Sequence, residues 1–283
     1  MLNSQLFDYL RKQYLYRKSS MEVIPVSGGD INRCFELRSG QDRLFVKVND
    51  ADKFPQMLEK ESKGLHALRL TKTIAVPKVI ESGTIDNEQF LLMEWIPGQN
   101  PPQMWENAGA ALAQLHALEQ LYFGWEEDNF IGTLVQQNNS CKNSIDFFSK
   151  QRIGSLFYRA KSAGLFSEKE TEQFERFRSR LSDLLPDEKP SLLHGDLWGG
   201  NFLNGYYIDP AVYYGSREAD LAMTRLFGGF APKFYQAYEE VFPLQSGWQK
   251  RTEIWNLYPL LVHALLFGGS YIGQVNAIIQ KYI

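Results

Sequence analysis

The sequence predicts an α+β fold, with a small antiparallel β lobe that carries one helix and a larger, mainly helical lobe. Two observations predict it: the first hundred residues follow the order three strands, one helix and two strands, and the patterns after Pro97-Gly98 are mostly helical. The chain has 283 residues, 44% hydrophobic and 22% charged, which is enough for two lobes with a substantial core. We place the lobes at residues 1–96 and 97–283, with a hinge at Pro97–Pro102.

The small lobe begins with three predicted strands in EVIPVSGGDINRCFELRSGQDRLFVKVND, with turns at Gly28-Gly29 and Ser39-Gly40. The segment from Phe54 to Leu70 then has apolar residues at helical spacing: Met57, Leu58, Leu65 and Leu68. Two more strands, VPKVIESG and QFLLMEWIPG, follow, and Asp86-Asn87 marks the turn between them.

The larger lobe is predicted to be helical, with one exception. GAALAQLHALEQL has Ala, Leu and His116 at helical spacing, and Ile145 to Leu185 form two or more helices. The exception is SLLHGDLWGGNFLNGYYIDP, residues 191–210, where one histidine, two aspartates and two asparagines lie among bulky apolar residues. Buried carboxylates are costly unless they are paired or bind a metal, so this stretch is the leading candidate for a functional site.

Composition argues against several classes of partner. The formal net charge is -3 and no long Lys/Arg run is present, which argues against nucleic acid. No apolar run approaches a membrane span, and the N-terminal MLNSQLFDYLRKQYLYRK is amphipathic rather than a signal peptide. Cys34 and Cys141 form neither a disulfide framework nor a metal-binding spacing, and Cys34 is expected to be a buried strand thiol. We therefore expect a cytoplasmic protein.

Within HGDLWGGN, four residues separate Asp196 from Asn201, as in kinase catalytic loops, where the Asp engages the substrate hydroxyl and the Asn holds a metal. Asn204-Gly205 is a strong two-residue hairpin signal, and the hairpin is predicted to fold Asp209 back beside Asn201. Their carboxylate and carboxamide oxygens suit Mg²⁺, whose charge would balance Asp209. His194 is expected to hold the loop by hydrogen bonding to backbone rather than to act directly.

Lys47 and Glu61 form a second candidate pair. Lys47 lies in the strand RLFVKV and Glu61 in the following predicted helix, which brings the two together if the helix packs on the sheet. Taken alone, Lys47 is better explained as a strand residue that faces solvent, and Glu61 as an exposed helix residue. The glycine turn SGGDIN has amides suited to covering phosphates, but without a GxxxxGK or complete GxGxxG motif a Rossmann site is disfavoured. Together these residues supply the cation, the metal ligands and the carboxylate that phosphoryl transfer needs.

The chain resembles the bacterial fructosamine (ketosamine) kinases, of the aminoglycoside-phosphotransferase-like branch of the bilobal protein-kinase-like fold. The resemblance runs almost end to end, through SGGDIN, LFVKVN, FPQMLEKESKGLHAL, TIAVPKV, LLMEWI, LLHGDLWGGN, IDPAVYYGSREADLAM, LFGGF and LLVHALLFGGSYIGQ. It implies an enzyme that uses ATP and Mg²⁺ to phosphorylate the sugar 3-hydroxyl of ketoamines on small amines or on glycated protein lysines. The 3-phosphate adduct then eliminates spontaneously, so the implied role is deglycation.

The resemblance also implies roles for individual residues. It implies these ATP contacts: Gly28 and Gly29 over the phosphates, Lys47 on the α- and β-phosphates with Glu61 as its anchor, Met93 behind the adenine, and backbone groups of Glu94 and Ile96 on the adenine edge. It implies these roles in the catalytic lobe: Asp196 as base, Asn201 and Asp209 as Mg²⁺ ligands, Trp198 at the sugar site, and His194, Glu218 and Asp220 as braces of the loop. A core position is the alternative for Trp198.

One segment departs from the family pattern. In QQNNSCKNSIDFFSKQRI, Ser140 and Ser144 stand where the family usually has tryptophan, whereas Gln136 and Asn138 match. The segment usually borders the acceptor pocket, so the departure leaves acceptor preference open.

Three alternatives remain. The same fold acting on an aminoglycoside, choline or homoserine-type acceptor is disfavoured by Trp198 after Asp-Leu. A pseudokinase that serves as a binding module predicts a broken set of polar residues, and the set is intact. A metal hydrolase built on His194, Asp196 and Asp209 lacks a second histidine at ligand spacing. The sequence does not choose between a monomer and a homodimer.

Overall fold

A computed structural model describes residues 2–14, 21–27, 31–98, 101–228 and 230–283. The chain divides into two compact units, one of Met1–Pro101 with Leu203–Asp209 and one of Pro102–Phe202 with Pro210–Ile283. The short segment that ends at Asp209 therefore belongs to the first unit, although it is distant from that unit in sequence. No helix among the described residues is long and apolar enough to cross a membrane.

The described part of the first unit is built on a five-stranded antiparallel sheet in the order β1-β2-β3-β5-β4. Its strands are β1 Glu22–Val26, β2 Arg33–Ser39, β3 Asp42–Asp50, β4 Val79–Ile85 and β5 Glu88–Glu94. Its helices are α1 Ser4–Tyr14 and α2 Met57–Leu70. The predicted order of three strands, one helix and two strands is confirmed from β1 to β5. The expectation of a single helix in this lobe is wrong, because the amphipathic N-terminal segment forms α1 and buries Leu6 and Leu10 against the sheet. Helix α2 begins at Met57 rather than Phe54, because Gln56 has a left-handed φ of 61°.

The two faces of this sheet have different neighbours because side chains alternate along a strand. One face packs on Leu6 and Leu10 of α1 and contributes these residues to the core: Phe35, Leu37, Val46, Val48, Phe90 and Leu92. Lys47 lies between Val46 and Val48, so it points to the opposite face. There it meets Glu61 of α2. The strand alternation thus selects the residue that faces α2.

The second unit is mainly helical. Its helices are α3 Met104–His116, α4 Ser144–Phe147, α5 Ser155–Ser162, α6 Glu168–Ser179, α7 Leu181–Leu184, α8 Arg217–Met223, α9 Pro232–Val241, α10 Trp248–Trp255, α11 Leu257–Phe267 and α12 Ser270–Lys281. Its strands are β6 Asn129–Ile131, β7 Leu134–Gln136, β8 Ser191–Leu193 and β11 Tyr213–Gly215; β9 Phe202–Leu203 spans the unit boundary and β10 Tyr206–Tyr207 lies in the first unit. A π-helical segment, Phe148–Gly154, joins α4 to α5.

The core of the second unit is aromatic and closely packed. Phe157 of α5 stacks on Phe174 of α6 with ring centroids 3.8 Å apart. Helix α3 lies close to α9 because Gly109 has no side chain: a Cβ there would lie 2.0 Å from the carbonyl oxygen of Phe234. Strands β8 and β11 pair antiparallel, with Leu193 opposite Tyr213, and this pair frames the loop that starts at His194.

Candidate active site

Lys47, Glu61 and Asp209 form an ionic cluster in the first unit. Lys47 Nζ lies 2.8 Å from Glu61 Oε1 and 2.5 Å from Asp209 Oδ1. The Lys47 side chain is 4% exposed, whereas that of Asp209 is 43% exposed. The predicted Lys47–Glu61 pair is therefore present, and Asp209 joins it, which the sequence does not indicate.

Burial and the neighbouring charges shift the pKa values of Lys47 and Glu61. Burial disfavours the charged form of Lys47, but Asp209 and Glu61 outweigh burial and raise the pKa of its ammonium. Burial raises the pKa of Glu61 and Asp209 adds to the effect, while Lys47 opposes it. One ammonium is thus shared by two carboxyl groups.

A tight hairpin carries Asp209. Strands β9 and β10 flank Asn204 and Gly205, whose φ angles of 53° and 91° are those of a two-residue hairpin turn. The hairpin predicted from Asn204-Gly205 is confirmed. Asp209 itself has a φ of 55°, a left-handed conformation that aspartate adopts more readily than most residues.

Two hydrogen bonds hold this hairpin on the first unit. Asn204 Nδ2 donates to the Pro97 carbonyl at 2.5 Å, and the Tyr207 backbone N–H donates to the Ala75 carbonyl at 2.8 Å. Asp209 is two residues beyond Tyr207, so these bonds fix its approach to Lys47. The predicted approach of Asp209 to Asn201 stays a prediction.

The residues predicted to bind adenine lie at the end of β5. Met93 is 3% exposed and pairs with Phe45 of β3 and Val79 of β4. The Glu94 N–H donates to the Lys78 carbonyl at 3.0 Å, and Glu94 Oε1 accepts the Lys78 N–H at 2.8 Å. The Glu94 N–H and carboxylate are thus engaged by Lys78, and the adenine contact of Glu94 stays a prediction.

Three other residues are predicted to contact the nucleotide. Ile96 is half-buried in the irregular segment that follows β5. Gly28 and Gly29, which are predicted to cover phosphates, lie outside the described residues.

The loop after β8 brings together Asp196, Asn201 and His194 in the second unit. Asn201 Nδ2 donates to Asp196 Oδ2 at 3.0 Å and to the Asp196 carbonyl at 2.8 Å. His194 is fully buried, and its Nδ1 accepts the Asp196 backbone N–H at 3.3 Å. Asn201 therefore orients the Asp196 carboxylate directly, and its role as a metal ligand stays a prediction.

Asp220 of α8 accepts hydrogen bonds from the backbone of the same loop. Its carboxylate accepts the His194 N–H at 2.7 Å and the Gly195 N–H at 2.9 Å, and it lies 3.3 Å from His116 Nε2. Asp220 is 2% exposed. The loop that carries Asp196 is thus held by a buried carboxylate, each of whose oxygens accepts one backbone N–H of the loop.

Glu218 is placed differently from its predicted role. Its carboxylate accepts from Arg251 Nε at 2.8 Å and from Trp255 Nε1 at 2.9 Å. It therefore ties α8 to α10 rather than to the loop. The physical reason is helical geometry: residues two apart, such as Glu218 and Asp220, do not share a helix face.

Gly195 and Gly200 lie so close to neighbouring atoms that a side chain at either position would clash. Gly195 has a φ of 82°, and a Cβ there would lie 2.0 Å from the Ala211 carbonyl oxygen. A Cβ on Gly200 would lie 2.3 Å from the Trp198 ring, so this ring rests over the glycine. Trp198 is 39% exposed, which makes it a surface residue rather than the core tryptophan of the alternative interpretation.

A buried polar network supports this loop, and the sequence does not indicate it. Gln136 Nε2 donates to the Ala211 carbonyl at 3.0 Å, and Gln136 Oε1 accepts from Tyr258 at 2.7 Å. The Ala211 N–H in turn donates to the His194 carbonyl at 2.9 Å. Arg152, in the π-helical segment, donates through Nη2 to Asn138 Oδ1 at 2.7 Å.

Two of the residues that match the family pattern and one that departs from it are buried. Gln136 and Asn138 are each 2% exposed, so they brace the interior instead of lining an open pocket. Ser144 is also 2% exposed and lies 3.1 Å from Asp187 Oδ1 at the start of α4, whereas Ser140 is exposed.

Cys34 lies on β2 opposite Lys47. Burial raises the pKa of its thiol to about 11; Lys47 opposes this effect, and Asp209 and Glu61 add to it. The thiol is therefore protonated and poorly reactive near neutral pH.

Comparison with known proteins places the chain among kinases of sugar–amine adducts. The family model "Fructosamine kinase" matches residues 4–283. A protein named "Probable ketoamine kinase" from Vibrio parahaemolyticus is 40% identical over 289 residues, covering 100% of this chain and 98% of the relative. A protein of the same name from Enterococcus faecium is 38% identical and covers 94% of this chain and 96% of the relative.

Solved structures agree on the fold. The crystal structure of a "putative fructosamine-3-kinase" from Thermobifida fusca has a TM-score of 0.87 at 31% identity, covering 100% of this chain and 99% of that one. The aminoglycoside phosphotransferase APH(4)-Ia has a TM-score of 0.64 at 14% identity and covers 99% of each chain, a likeness of fold alone. The predicted protein-kinase-like fold is confirmed.

Proposed function

Because the chain belongs to the fructosamine kinase family, it is a phosphotransferase that uses ATP, and we propose that its acceptors are ketoamines. The proposed reaction transfers the γ-phosphate of ATP to the sugar 3-hydroxyl of a fructosamine or ribulosamine adduct. The amine half is a small molecule or a protein lysine. The names of the relatives, ketoamine kinases, support the acceptor class.

The cluster of Lys47, Glu61 and Asp209 is the observation that carries the phosphoryl-transfer step of this proposal. A phosphoryl-transfer site needs a fixed cation for the phosphates of ATP and a carboxylate for the metal. Lys47 is held at 2.8 Å from Glu61 and 2.5 Å from Asp209, which is 43% exposed. In the proposed mechanism Lys47 contacts the α- and β-phosphates, and Glu61 keeps the ammonium in place.

Asn201 and Asp209 are the proposed Mg²⁺ ligands. The donor chemistry fits, since both offer hard oxygen atoms: the carboxylate of Asp209 and the Oδ1 of Asn201, whose Nδ2 is engaged by Asp196. Bound Mg²⁺ would neutralise charge on the transferring phosphate.

Asp196 is the proposed base. The 3-hydroxyl oxygen forms a bond to the γ-phosphorus, the bond from that phosphorus to the β,γ-bridging oxygen breaks, and the hydroxyl proton passes to the Asp196 carboxylate. ADP leaves with the bridging oxygen. Asn201 orients the carboxylate from 3.0 Å, and Asp220 holds the loop through the His194 and Gly195 N–H groups.

The remaining roles concern binding. Met93, the Glu94 carbonyl and Ile96 would form the adenine edge, and Gly28 and Gly29 would cover the phosphates. Trp198 would stack on the sugar, since an exposed indole face suits the C–H groups of a sugar. The ketoamine 3-phosphate then eliminates without the enzyme and frees the amine, so the proposed role is deglycation.

An acceptor panel tests the proposal. ATP consumption is measured with ribulose-lysine, fructose-lysine, an aminoglycoside and choline, and the position of the phosphate is determined by phosphorus NMR. We expect turnover only with the ketoamines and a phosphate on the 3-oxygen. Preferred turnover of the aminoglycoside or choline would replace the proposed acceptor class while leaving the kinase assignment in place.

A further inference from the structure

Five aromatic side chains of the second unit form a row that starts at the catalytic loop. Two copies of the segment LFGG, at residues 226–229 and 266–269, contribute Phe227 and Phe267. Their ring centroids lie 4.8 Å and 5.5 Å from that of His263. The ring centroid of Tyr271 lies 5.0 Å from that of His263, and those of Trp198 and Phe227 are 6.1 Å apart. We call these five residues the aromatic row.

The aromatic row is at the surface. Trp198 and Phe227 are each 39% exposed, and Phe267 is 59% exposed. Both phenylalanines directly precede glycines with left-handed φ, 96° at Gly228 and 63° at Gly268, where the chain turns away. Single exposed apolar residues are ordinary, but contiguous exposed aromatic rings beside a catalytic loop mark a binding surface.

His263 gives the row one polar group of defined character. Its Nδ1 lies 2.8 Å from the Pro259 carbonyl oxygen, which only accepts, so Nδ1 carries the hydrogen. In the tautomer with its hydrogen on Nδ1, the ring accepts through Nε2. A surface of aromatic faces with one nitrogen acceptor suits a ligand that is apolar, cationic and able to donate an N–H.

We propose that the aromatic row binds the amine half of the acceptor, a protonated secondary amine with its alkyl chain. This inference rests on the proposed function and adds which part of the substrate determines specificity. In a ketoamine only the keto carbon separates the carbon that bears the amine from the one that bears the 3-hydroxyl. A sugar on Trp198, two residues after Asp196, therefore leaves its ammonium and alkyl chain beside the rest of the row. Aromatic faces attract alkylammonium groups and cover methylene chains.

The test compares two acceptors with the same sugar: a ketoamine of an alkylamine, which is protonated, and its N-acetyl derivative, which is neutral. Phe227→Leu and Phe267→Leu keep apolar bulk and remove the ring. We expect kcat/KM for the protonated acceptor to fall about three- to tenfold in each, mainly through KM, and to change less than about twofold for the neutral acceptor. Tyr122→Leu, at a residue that is 46% exposed and outside the row, is the control and should change neither value.

The pattern of losses on the two acceptors decides whether the aromatic row binds the ammonium. A loss confined to the protonated acceptor supports the inference. Equal losses on both acceptors, or no loss, overturn it while the ketoamine kinase assignment stands. Wild-type protein that phosphorylates neither acceptor contradicts the proposed function itself, and the inference with it. Thermal unfolding of each variant confirms that a loss does not come from misfolding.

Discussion

Lys47 and Asp209 are 162 positions apart in sequence, and Lys47 Nζ lies 2.5 Å from Asp209 Oδ1. The contact depends on the Asn204-Gly205 turn and on the bond from Tyr207 to the Ala75 carbonyl, which hold the hairpin on the first unit. One ammonium thereby serves both Glu61 and the proposed metal ligand.

Lys47→Met should inactivate the enzyme by impairing its use of ATP. The variant removes the cation proposed for the α- and β-phosphates and leaves Glu61 and Asp209 without their shared ammonium. We expect kcat/KM for ATP to fall about 100- to 1,000-fold, the usual effect of losing one group that stabilises transition-state charge. Steady-state kinetics at varied ATP measure it.

Lys63→Met is the matched control for this variant. Lys63 pairs with Glu59 on the same helix, α2, at 3.2 Å, but the two side chains are 51% and 52% exposed. Exposed ion pairs contribute little, so we expect activity close to that of the wild type. Equal losses in the two variants would argue that any lysine near α2 is needed and that the cluster has no special role.

Asp220→Asn should lower kcat with little change in the KM for ATP. The variant replaces one carboxylate oxygen, which accepts a loop N–H, by an amide group that donates. We expect kcat to fall about 10- to 100-fold, as for other partners that orient a reacting group. Glu218→Gln, which loosens α8 from α10 instead, should lower the melting temperature and spare kcat. A comparable kcat loss in both variants contradicts a specific role for Asp220 in the loop.

Cys34 should resist alkylation in the folded protein. With a pKa of about 11, its thiolate population at pH 8 is roughly a hundredfold below that of an ordinary thiol. Since the folded state favours the neutral thiol, this group's contribution to stability is present below the unfolded pKa and declines as pH rises towards 11. Mass spectrometry after iodoacetamide treatment at pH 8 should find Cys141, which is partly exposed, modified before Cys34. Equal labelling would show that Cys34 is accessible and reactive.

Arg152→Met should destabilise the second unit. Arg152 is 1% exposed, donates to the Gln137 carbonyl and to Asn138 Oδ1, and lies 3.9 Å from the Tyr213 ring centroid. Its loss leaves the buried Asn138 Oδ1 without this donor, so we expect the free energy of unfolding to fall by about 1–3 kcal/mol in urea titrations. Arg176→Met, on the exposed side of α6, should stay within about 0.5 kcal/mol. An unchanged Arg152→Met protein would refute the supporting role of the network.

Local patterns predicted much of the fold. The alternation in RLFVKV places Lys47 opposite the apolar face, and Asn204-Gly205 predicts the hairpin, because strand period and turn conformation are set by neighbouring residues. The spacing in HGDLWGGN likewise indicates that Asp196 and Asn201 act together, and they lie within hydrogen-bond distance.

Contacts between distant segments were not predictable in the same way. Nothing near Lys47 indicates Asp209, and nothing near Gln136 indicates Tyr258, because tertiary packing alone brings them together. The aromatic row shows the limit well: its two LFGG segments are visible in the sequence, but their convergence on His263 is not. Glu218 shows the converse, since its proximity to Asp220 in sequence suggested a shared role that helix geometry forbids.

The most direct test of the account is the turnover of ribulose-lysine by wild-type protein and Asp196→Ala, with ATP binding measured separately by calorimetry. We expect a ribulose-lysine 3-phosphate from the wild type, seen by phosphorus NMR. We also expect a loss of turnover of about 1,000-fold or more in Asp196→Ala, with an ATP dissociation constant within about threefold of the wild-type value. Undiminished turnover by Asp196→Ala would contradict Asp196 as the base, and phosphate on another oxygen would contradict the 3-hydroxyl as the acceptor.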